Sequence, residues 1–274
     1  MSLRSLLVEA TRALAGAGVP SPRYDAEELA AHVAGVSRGQ LWRVDAVDEV
    51  AYRAAVGRRA AREPLQHITG RAYFRHLTLA VGPGVFVPRP ETELVAGAAI
   101  EQARRLARPV VVDLCAGSGA IALAVSGELP EAVVHAVEVD PLAHAWAERN
   151  CAGSGVDLRL GDAAEAFPDL DGSVDVVVSN PPYIPAAAAP LDPEVRDHDP
   201  AVALWSGPDG LDAVRVVERA AARLLRPGGL VVVEHADAQG RSAPAVFTAA
   251  ARWAHVADHA DLSGRPRFVT ARLR

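Results

Sequence analysis

The chain has no lysine: all 28 basic residues among its 274 are arginine. Arginine-only usage runs evenly along the sequence beside abundant alanine, which reads as codon composition and not as function. Cysteine is nearly absent too. Cys115 lies in a glycine-rich turn and Cys151 follows an expected helix, so neither a disulfide framework nor a metal site is implied. No apolar run approaches the roughly 20 residues of a membrane span. The start, Met1-Ser2-Leu3-Arg4, lacks the long apolar core of a signal peptide. An excess of positive charge is missing as well: 34 acidic residues leave a formal net charge of −6, which argues against a protein that coats nucleic acid through phosphate contacts. A soluble cytoplasmic protein without a metal is the expectation. No internal repeat is present, and Ala186 to Ala189, the one low-complexity patch, is assigned to a loop. What remains is half hydrophobic, enough to bury a core in one large domain or two modest ones.

Residues 1–70 read as helices. Leu3, Leu6, Leu7, Ala10 and Leu14 keep helical spacing until Gly16-Ala17-Gly18, and Asp25 to Val36 and Val47 to Arg62 give two more segments. From Pro64 the texture changes, and Ile68, Tyr73-Phe74, Leu77, Leu79 and Val81 suggest a short β-hairpin; residues 71–90 take the hairpin and a proline-rich connector, and Glu91 or Thr92 starts a helix to Arg105. Residues 91–274 then alternate. Strands are expected over Val110–Leu114, Val133–Val139, Val156–Leu160, Val174–Val178 and Leu230–Glu234. Helices are expected over Ala120–Gly127, Pro141–Asn150, Asp212–Leu225 and Gln239–Arg252. Nearly continuous apolar strands between helices imply a parallel sheet covered on both faces. Ala254–His259 and Phe268–Leu273 should close it as an antiparallel hairpin at one edge.

Val110 to Ala122 is a strand, a glycine turn (Cys115-Ala116-Gly117-Ser118-Gly119) and a helix start. Such a turn lets a ligand approach the main chain. Glu138 closes the next strand, at the position from which a carboxylate accepts both hydroxyls of a ribose. Gly117, Gly119 and Ala122 satisfy the loose dinucleotide fingerprint, so NAD competes with S-adenosylmethionine, and a plain strand-to-helix turn competes with both. Asp162, after the third strand, is either an acceptor for an adenine amino group or a solvated turn residue.

Asn180-Pro181-Pro182-Tyr183 leaves the fourth strand, where ligands bind in open α/β sheets. Two prolines hold the carbonyls rigidly and block a return to helix. Rigid acceptors beside a flat ring suit a planar NH₂ group. An amide nitrogen is a poor nucleophile because its lone pair is delocalised, so methyl transfer to it depends on holding the group in line. Positioning of that kind supplies on the order of 7–11 kcal/mol. Asn180 Oδ1 and the Pro181 carbonyl are the acceptors, and Tyr183 stacks on the flat group. The plainer alternative is that Asn180 caps a turn and the prolines end a strand.

Together with Arg62 to Gly70 (Arg-Glu-Pro-Leu-Gln-His-Ile-Thr-Gly), Val85 to Glu93 and Glu234-His235, the Asn180 to Ile184 stretch resembles the glutamine methyltransferases of peptide-chain release factors, the PrmC/HemK family. The likeness spans nearly the whole chain. It implies a class I S-adenosylmethionine-dependent methyltransferase fold, Rossmann-like and mostly parallel with a C-terminal antiparallel hairpin, plus a small N-terminal helical domain. It implies methyl transfer from S-adenosylmethionine, leaving S-adenosylhomocysteine, to the glutamine of the Gly-Gly-Gln loop of class 1 release factors. The helical domain (1–70) would help hold that protein, with the connector at 71–90 and the transferase domain at 91–274. Catalysis would rest on Asn180, Pro181 and Tyr183, and substrate binding on Asn180 to Tyr183 including Pro182. Cofactor binding would use Cys115, Ala116, Gly117, Ser118, Gly119, Glu138, Asp162, Asn180 and Phe86, with Arg89 beside Phe86 at the entrance. The turn departs from the family's usual Gly-Thr-Gly at Cys115-Ala116, and Ala163 stands where some relatives place a tryptophan against the adenine. A sister family that methylates ribosomal protein, and nucleic-acid amino-group enzymes, share the acceptor loop. The acidic balance and the lack of a basic extension weigh against the latter. No His or Lys offers itself for hydride chemistry, and an intact acceptor loop weighs against a non-catalytic binding protein. A monomer without membrane or sequence-specific nucleic-acid contacts is expected.

Overall fold

The computed structural model describes residues 2–188 and 192–274, so Ala189 of the alanine patch lies outside the described residues while Ala186 and Ala187 form a turn. The chain folds as two compact units. In the first, α1 (Leu3–Gly16), α2 (Pro22–Ala34), α3 (Glu49–Ala60) and α4 (Leu65–Thr69) pack around Leu6, Leu14, Leu29, Tyr52 and Ile68. Ser2 caps α1 through Ser5 N–H, and Asp48 caps α3 through Val50 and Ala51, satisfying donors that a helix start leaves open. Tyr52 buries its ring and donates its hydroxyl to the Ala26 carbonyl at 3.0 Å. Ile68, read from the sequence as part of the hairpin, instead lies in α4. Pro64 opens that short helix and Gly70, at φ 71°, ends it.

α8 (Pro193–His198) belongs to this first unit although it lies over a hundred residues downstream. Its Glu194 receives Arg62, and Arg59 at 2.8 Å, while Arg59 also holds Asp25 at 2.7 Å. Burial raises the Glu194 carboxyl, but the Arg62 and Arg59 hydrogen bonds outweigh it and hold the group well below the usual carboxylate range. Buried charges are tolerated when paired in this way.

The second unit carries the sheet. Strands β3 (Val110–Leu114), β4 (Val133–Glu138), β5 (Asp157–Leu160), β6 (Val174–Ser179), β7 (Leu225–Glu234), β8 (Trp253–Ala260) and β9 (Pro266–Leu273) form one sheet in the order β5-β4-β3-β6-β7-β9-β8. The first five run parallel, and β9 is antiparallel to both β7 and β8, so the closing hairpin sits at an edge as its turn residues predict. Helices α5 (Thr92–Ala103), α6 (Ala120–Glu128), α7 (Pro141–Cys151), α9 (Asp212–Leu224) and α10 (Ser242–Ala249) accompany it, and β1 (Arg71–Phe74) and β2 (Leu77–Ala80) form a separate hairpin. Every residue of β6 is buried, including Asp175. That carboxylate is satisfied by Val110 N–H at 2.7 Å and by Arg226 at 2.5 Å, which explains a charge inside an otherwise apolar strand.

Most boundaries shift by one to three residues from the sequence reading, and two of the differences have a local cause. β7 starts at Leu225, five residues early, because Leu225 already pairs with Val174 of β6 and the Arg-Pro-Gly-Gly stretch that follows is an irregularity before pairing resumes at Leu230. α10 is shorter than expected. Gln239 sits in a 3₁₀ turn before it, where its side-chain oxygen accepts Ala236 N–H at 3.0 Å, so a local side-chain bond replaces a helical turn. Among the described residues no helix is long and apolar enough to cross a membrane.

The strand order fixes where a ligand can lie. The chain leaves β3 toward β4 and β5, then returns to add β6 on the other side of β3. That is a topological switch point, and ligands in open α/β sheets sit at the carboxyl ends of such strands.

Candidate active site

Register brings the sequence candidates to one edge. Leu114, the last residue of β3, lies opposite Ser179 of β6 and Val137 of β4, and Ser179 lies opposite Val233 of β7. The residues that follow these strand ends (Cys115 to Gly119, Glu138, Asn180 to Tyr183, Glu234) therefore share one end of the sheet. Ser179 ties two of these strand ends by donating its hydroxyl to the Leu114 carbonyl at 2.6 Å.

On the β3 side, Ala116 N–H donates to the Val137 carbonyl at 2.9 Å and anchors the turn against β4. Cys115 takes a positive φ of 63°. Burial pushes its thiol up to about 12, with the Glu138 charge adding to the effect, so it is a packing residue and not a nucleophile. Gly119 starts α6 at φ 82°, and a Cβ there would lie 3.0 Å from Cys151 Sγ, so space and conformation both demand glycine. No side chain of the turn caps α6. Asp113, from the end of β3, does so by accepting Ala122 N–H at 3.0 Å. Burial raises Asp113 to about 8. Ser118 is buried, and its carbonyl accepts Asn150 Nδ2 at 3.0 Å. The same Asn150 exchanges two hydrogen bonds with Ala80 of β2, at 2.8 and 2.9 Å. Asn150 thus supports the turn from α7, a role that no local motif signals.

Glu138 is held by two backbone donors, Gly117 N–H on Oε2 at 2.7 Å and Asp140 N–H on Oε1 at 2.9 Å. A carboxylate has about four acceptor positions. One on each oxygen remains for a vicinal diol, so the residues present fit a ribose. Asp162 is exposed and its Oδ1 accepts Ala164 N–H at 2.8 Å. The turn-residue reading accounts for that oxygen, and the adenine reading would have to use the other. Phe86 is half-buried with the Arg89 guanidinium 4.7 Å above its ring, and Arg89 also reaches Asp199 at 2.6 Å.

On the β6 side, Asn180 Nδ2 donates to Thr92 Oγ1 at 3.1 Å, which turns Oδ1 away from α5. Neither Asn180 Oδ1 nor the Pro181 carbonyl is taken by another described residue. Pro181 is buried and Pro182 half-buried. Tyr183 donates its hydroxyl to Glu234 Oε1 at 3.3 Å and its carbonyl accepts Gln239 Nε2 at 3.0 Å. Ile184 then bridges to Trp205, with Ile184 N–H on the Leu204 carbonyl at 2.8 Å and Ser206 N–H on the Ile184 carbonyl at 2.9 Å. Gly210 lies beneath this path at φ 75°, where a Cβ would come within 2.4 Å of the Tyr183 carbonyl and 2.8 Å of Gln239 Nε2. Gly210→Ala should therefore displace the acceptor loop. The expected outcome is a loss of at least about tenfold in transfer rate, as a misplacement near 1 Å can cost on the order of 10²-fold, measurable by single-turnover kinetics at saturating cofactor. The roles of Thr92, Gln239 and Gly210 in holding the loop carry no local sequence signal, because each acts through a contact made only once the chain is folded.

The PrmC N-terminal domain model matches residues 5–70 and the methyltransferase small domain model matches residues 78–191. The release factor glutamine methyltransferase of Streptomyces coelicolor is 62% identical over 270 residues, covering 97% of this chain and 96% of that protein. The enzyme of the same name from Mycolicibacterium smegmatis is 51% identical over 275 residues, covering 98% and 97%. A third relative, 44% identical over 262 residues and covering 93% of this chain and 90% of its own, is the 4-amino-L-phenylalanine/4-methylamino-L-phenylalanine methyltransferase of Streptomyces pristinaespiralis. With a glycine turn and a held carboxylate on one side of the switch point and a proline-stiffened acceptor loop on the other, and with relatives of this identity over nearly its full length, the chain belongs to the release factor glutamine methyltransferase family.

Proposed function

We propose that the protein methylates the side-chain amide nitrogen of the glutamine in the Gly-Gly-Gln loop of class 1 release factors. The observation that carries this reading is the pair of acceptors, Asn180 Oδ1 and the Pro181 carbonyl, left without a partner among the described residues in a loop that Thr92, Glu234 and Gln239 hold in place. A planar NH₂ offers two N–H bonds, and two fixed acceptors match them. S-adenosylmethionine supplies a methyl on a sulfonium sulfur: the nitrogen lone pair forms the N–C bond, the C–S electrons return to sulfur to give the thioether of S-adenosylhomocysteine, and one N–H proton passes to solvent. This chain's part is to hold and orient. Asn180 and Pro181 fix the nitrogen, their dipoles favour the charge that develops on it, and Tyr183 flanks the flat group. Cys115 to Gly119 and Glu138 would bind the donor's methionine and ribose. Val139, next to Glu138 and 50% exposed, and Leu160, opposite Glu138 and 54% exposed, would supply the apolar adenine wall that Ala163 cannot.

The helical unit is assigned the grip on the protein substrate. Trp42 stands 78% exposed there beside Arg43, 4.8 Å from its ring, and an exposed tryptophan–arginine pair is a frequent protein-binding anchor. Trp42→Ala should raise KM for release factor about fivefold or more, with kcat held. A second reading rests on the S. pristinaespiralis relative, whose substrate carries an aromatic NH₂ that is also flat. A free amino acid would not need Trp42. Incubating the protein and labelled S-adenosylmethionine with release factor, ribosomal protein, transfer RNA, DNA and 4-aminophenylalanine in parallel separates the readings. Label in release factor alone supports the proposal, and label in another acceptor alone refutes it.

A further inference from the structure

The connector from Gly84 to Thr92 runs past both sides of the site. A Cβ on Gly84, at φ 90°, would lie 3.0 Å from Leu142 Cβ, so the connector starts against α7, the helix that follows Glu138. Thr92 ends it, bonded to Asn180 at 3.1 Å. Phe86 lies between the two. Burial alternates there, with Val85 and Val87 buried and Phe86 half-buried, as in an extended segment anchored on one face. No helix or strand includes residues 84–91, so what fixes their side chains must come from outside the segment.

That outside contact is an ion pair. Arg89 stands between Pro88 and Pro90, which restrict its backbone. Its carbonyl accepts Thr92 N–H at 3.1 Å, and its guanidinium covers the Phe86 ring at 4.7 Å. Arg89 Nη2 donates to Asp199 Oδ2 at 2.6 Å, and that carboxylate is only 1% exposed. Asp199 in turn opens the segment that braces the acceptor loop. Pro200 follows it, and Ala203 N–H closes a 3₁₀ turn on the Pro200 carbonyl at 2.9 Å. The residues after that turn bond the loop three times. Ile184 N–H donates to the Leu204 carbonyl at 2.8 Å, Ser206 N–H to the Ile184 carbonyl at 2.9 Å, and Ala186 N–H to the Gly207 carbonyl at 2.8 Å. One ion pair, spanning 110 positions of sequence, therefore joins the connector to the back of the acceptor loop.

We propose that Arg89 and Asp199 form a strut that sets the spacing between the donor side and the acceptor loop, Asp199 being a positioning residue for methyl transfer that acts through Arg89. The proposal rests on the acceptor-loop reading given above. With the strut in place, Phe86 keeps its cover, and the Arg89 carbonyl holds Thr92, and with it the Asn180 amide, against the braced loop. Without it, the connector and the loop shift independently, and in-line transfer is steep in distance. The two ends of the strut are unequal. Asp199 is buried, whereas the Arg89 side chain is 30% exposed. Removing Arg89 strands a charge inside the protein, while neutralising Asp199 leaves a guanidinium that water can reach. The Arg89 variant should therefore be the less stable of the two, and the Asp199 variant the more specific probe.

Asp199→Asn is the direct test, because it keeps the shape and removes the charge. D199N, Arg89→Met, Arg89→Lys and the R89M/D199N double variant are compared with the wild type in single-turnover methylation of purified release factor at saturating S-adenosylmethionine. Calorimetry gives each variant's cofactor affinity, and its binding stoichiometry gives the folded fraction to which rates are referred. D199N is expected to slow transfer on the order of 10–100-fold, as a displacement near 1 Å would. It should also weaken S-adenosylmethionine about threefold to tenfold, the contribution of one aromatic contact. The double variant should be no slower than R89M, because a strut without one end is already lost. R89K keeps the charge that pairs with Asp199 and should transfer faster than R89M, a rescue that a packing defect alone would not give. A D199N enzyme with wild-type rate and affinity overturns the proposal and leaves the acceptor reading intact. A double variant whose loss is the product of the two single losses also overturns it, as does R89K no faster than R89M. A wild-type enzyme inert on release factor refutes the acceptor reading and the proposal with it.

Discussion

Asn180→Ala is expected to slow methyl transfer on the order of 10²–10³-fold, the loss typical of removing one preorganised polar group from a charge-developing site. The affinity for S-adenosylmethionine should stay within about twofold, since the elements that would grip the donor are anchored independently of Asn180, by Val137, Gly117, Asp140 and Asn150. The split matters more than the size of the loss. Asn180 is half-buried directly after β6 and reaches Thr92, so a purely structural residue there would be expected to loosen the loop and the neighbouring turn together. Single-turnover rates with calorimetric cofactor affinity measure both. Near-normal turnover would remove Asn180 from the mechanism.

Glu138→Ala should show the opposite pattern. It removes an acceptor for two ribose hydroxyls, and hydrogen bonds to a charged group contribute about 1.5–3 kcal/mol each, so cofactor affinity should fall on the order of 10²-fold or more. It also frees Gly117 and Asp140 N–H, which share the carboxylate, so the glycine turn keeps its Ala116–Val137 tie to β4 but loses the one through Gly117 as well as its ligand contact. At saturating cofactor the rate should recover substantially, which distinguishes a binding role from a catalytic one. Unchanged affinity by calorimetry would refute the ribose assignment.

How far the sequence was legible follows from the range over which each signal acts. β3 begins and ends at the residues expected, because a run of valines between proline and a glycine turn leaves no competing structure. The turn, Glu138 and the acceptor loop could be located for the same reason: each lies at the end of a local apolar run, and the strand register brings those ends together. Ile68 was misplaced because an apolar residue among glycines fits a strand or a short helix equally, and only the packing of α4 on the helical core decides. Gln239 was read as the start of a helix when its side chain was needed elsewhere, under Tyr183 and Gly210. Thr92 looked like a helix start, which it is, but its partnership with Asn180 spans 88 positions in the chain. Likewise α8 could not be assigned to the helical unit, since what ties it there is tertiary: its buried Glu194 among Arg59 and Arg62, and His198 edge-on to His67.

The measurement that tests the central claim most directly is the position of the methyl group. Purified release factor, incubated with the protein and isotopically labelled S-adenosylmethionine, is digested and sequenced by tandem mass spectrometry. One methyl on the side-chain nitrogen of the glutamine in the Gly-Gly-Gln loop, absent with Asn180→Ala, is the predicted result. A methyl on any other residue, or an unmodified glutamine after prolonged incubation with active enzyme, would contradict the account.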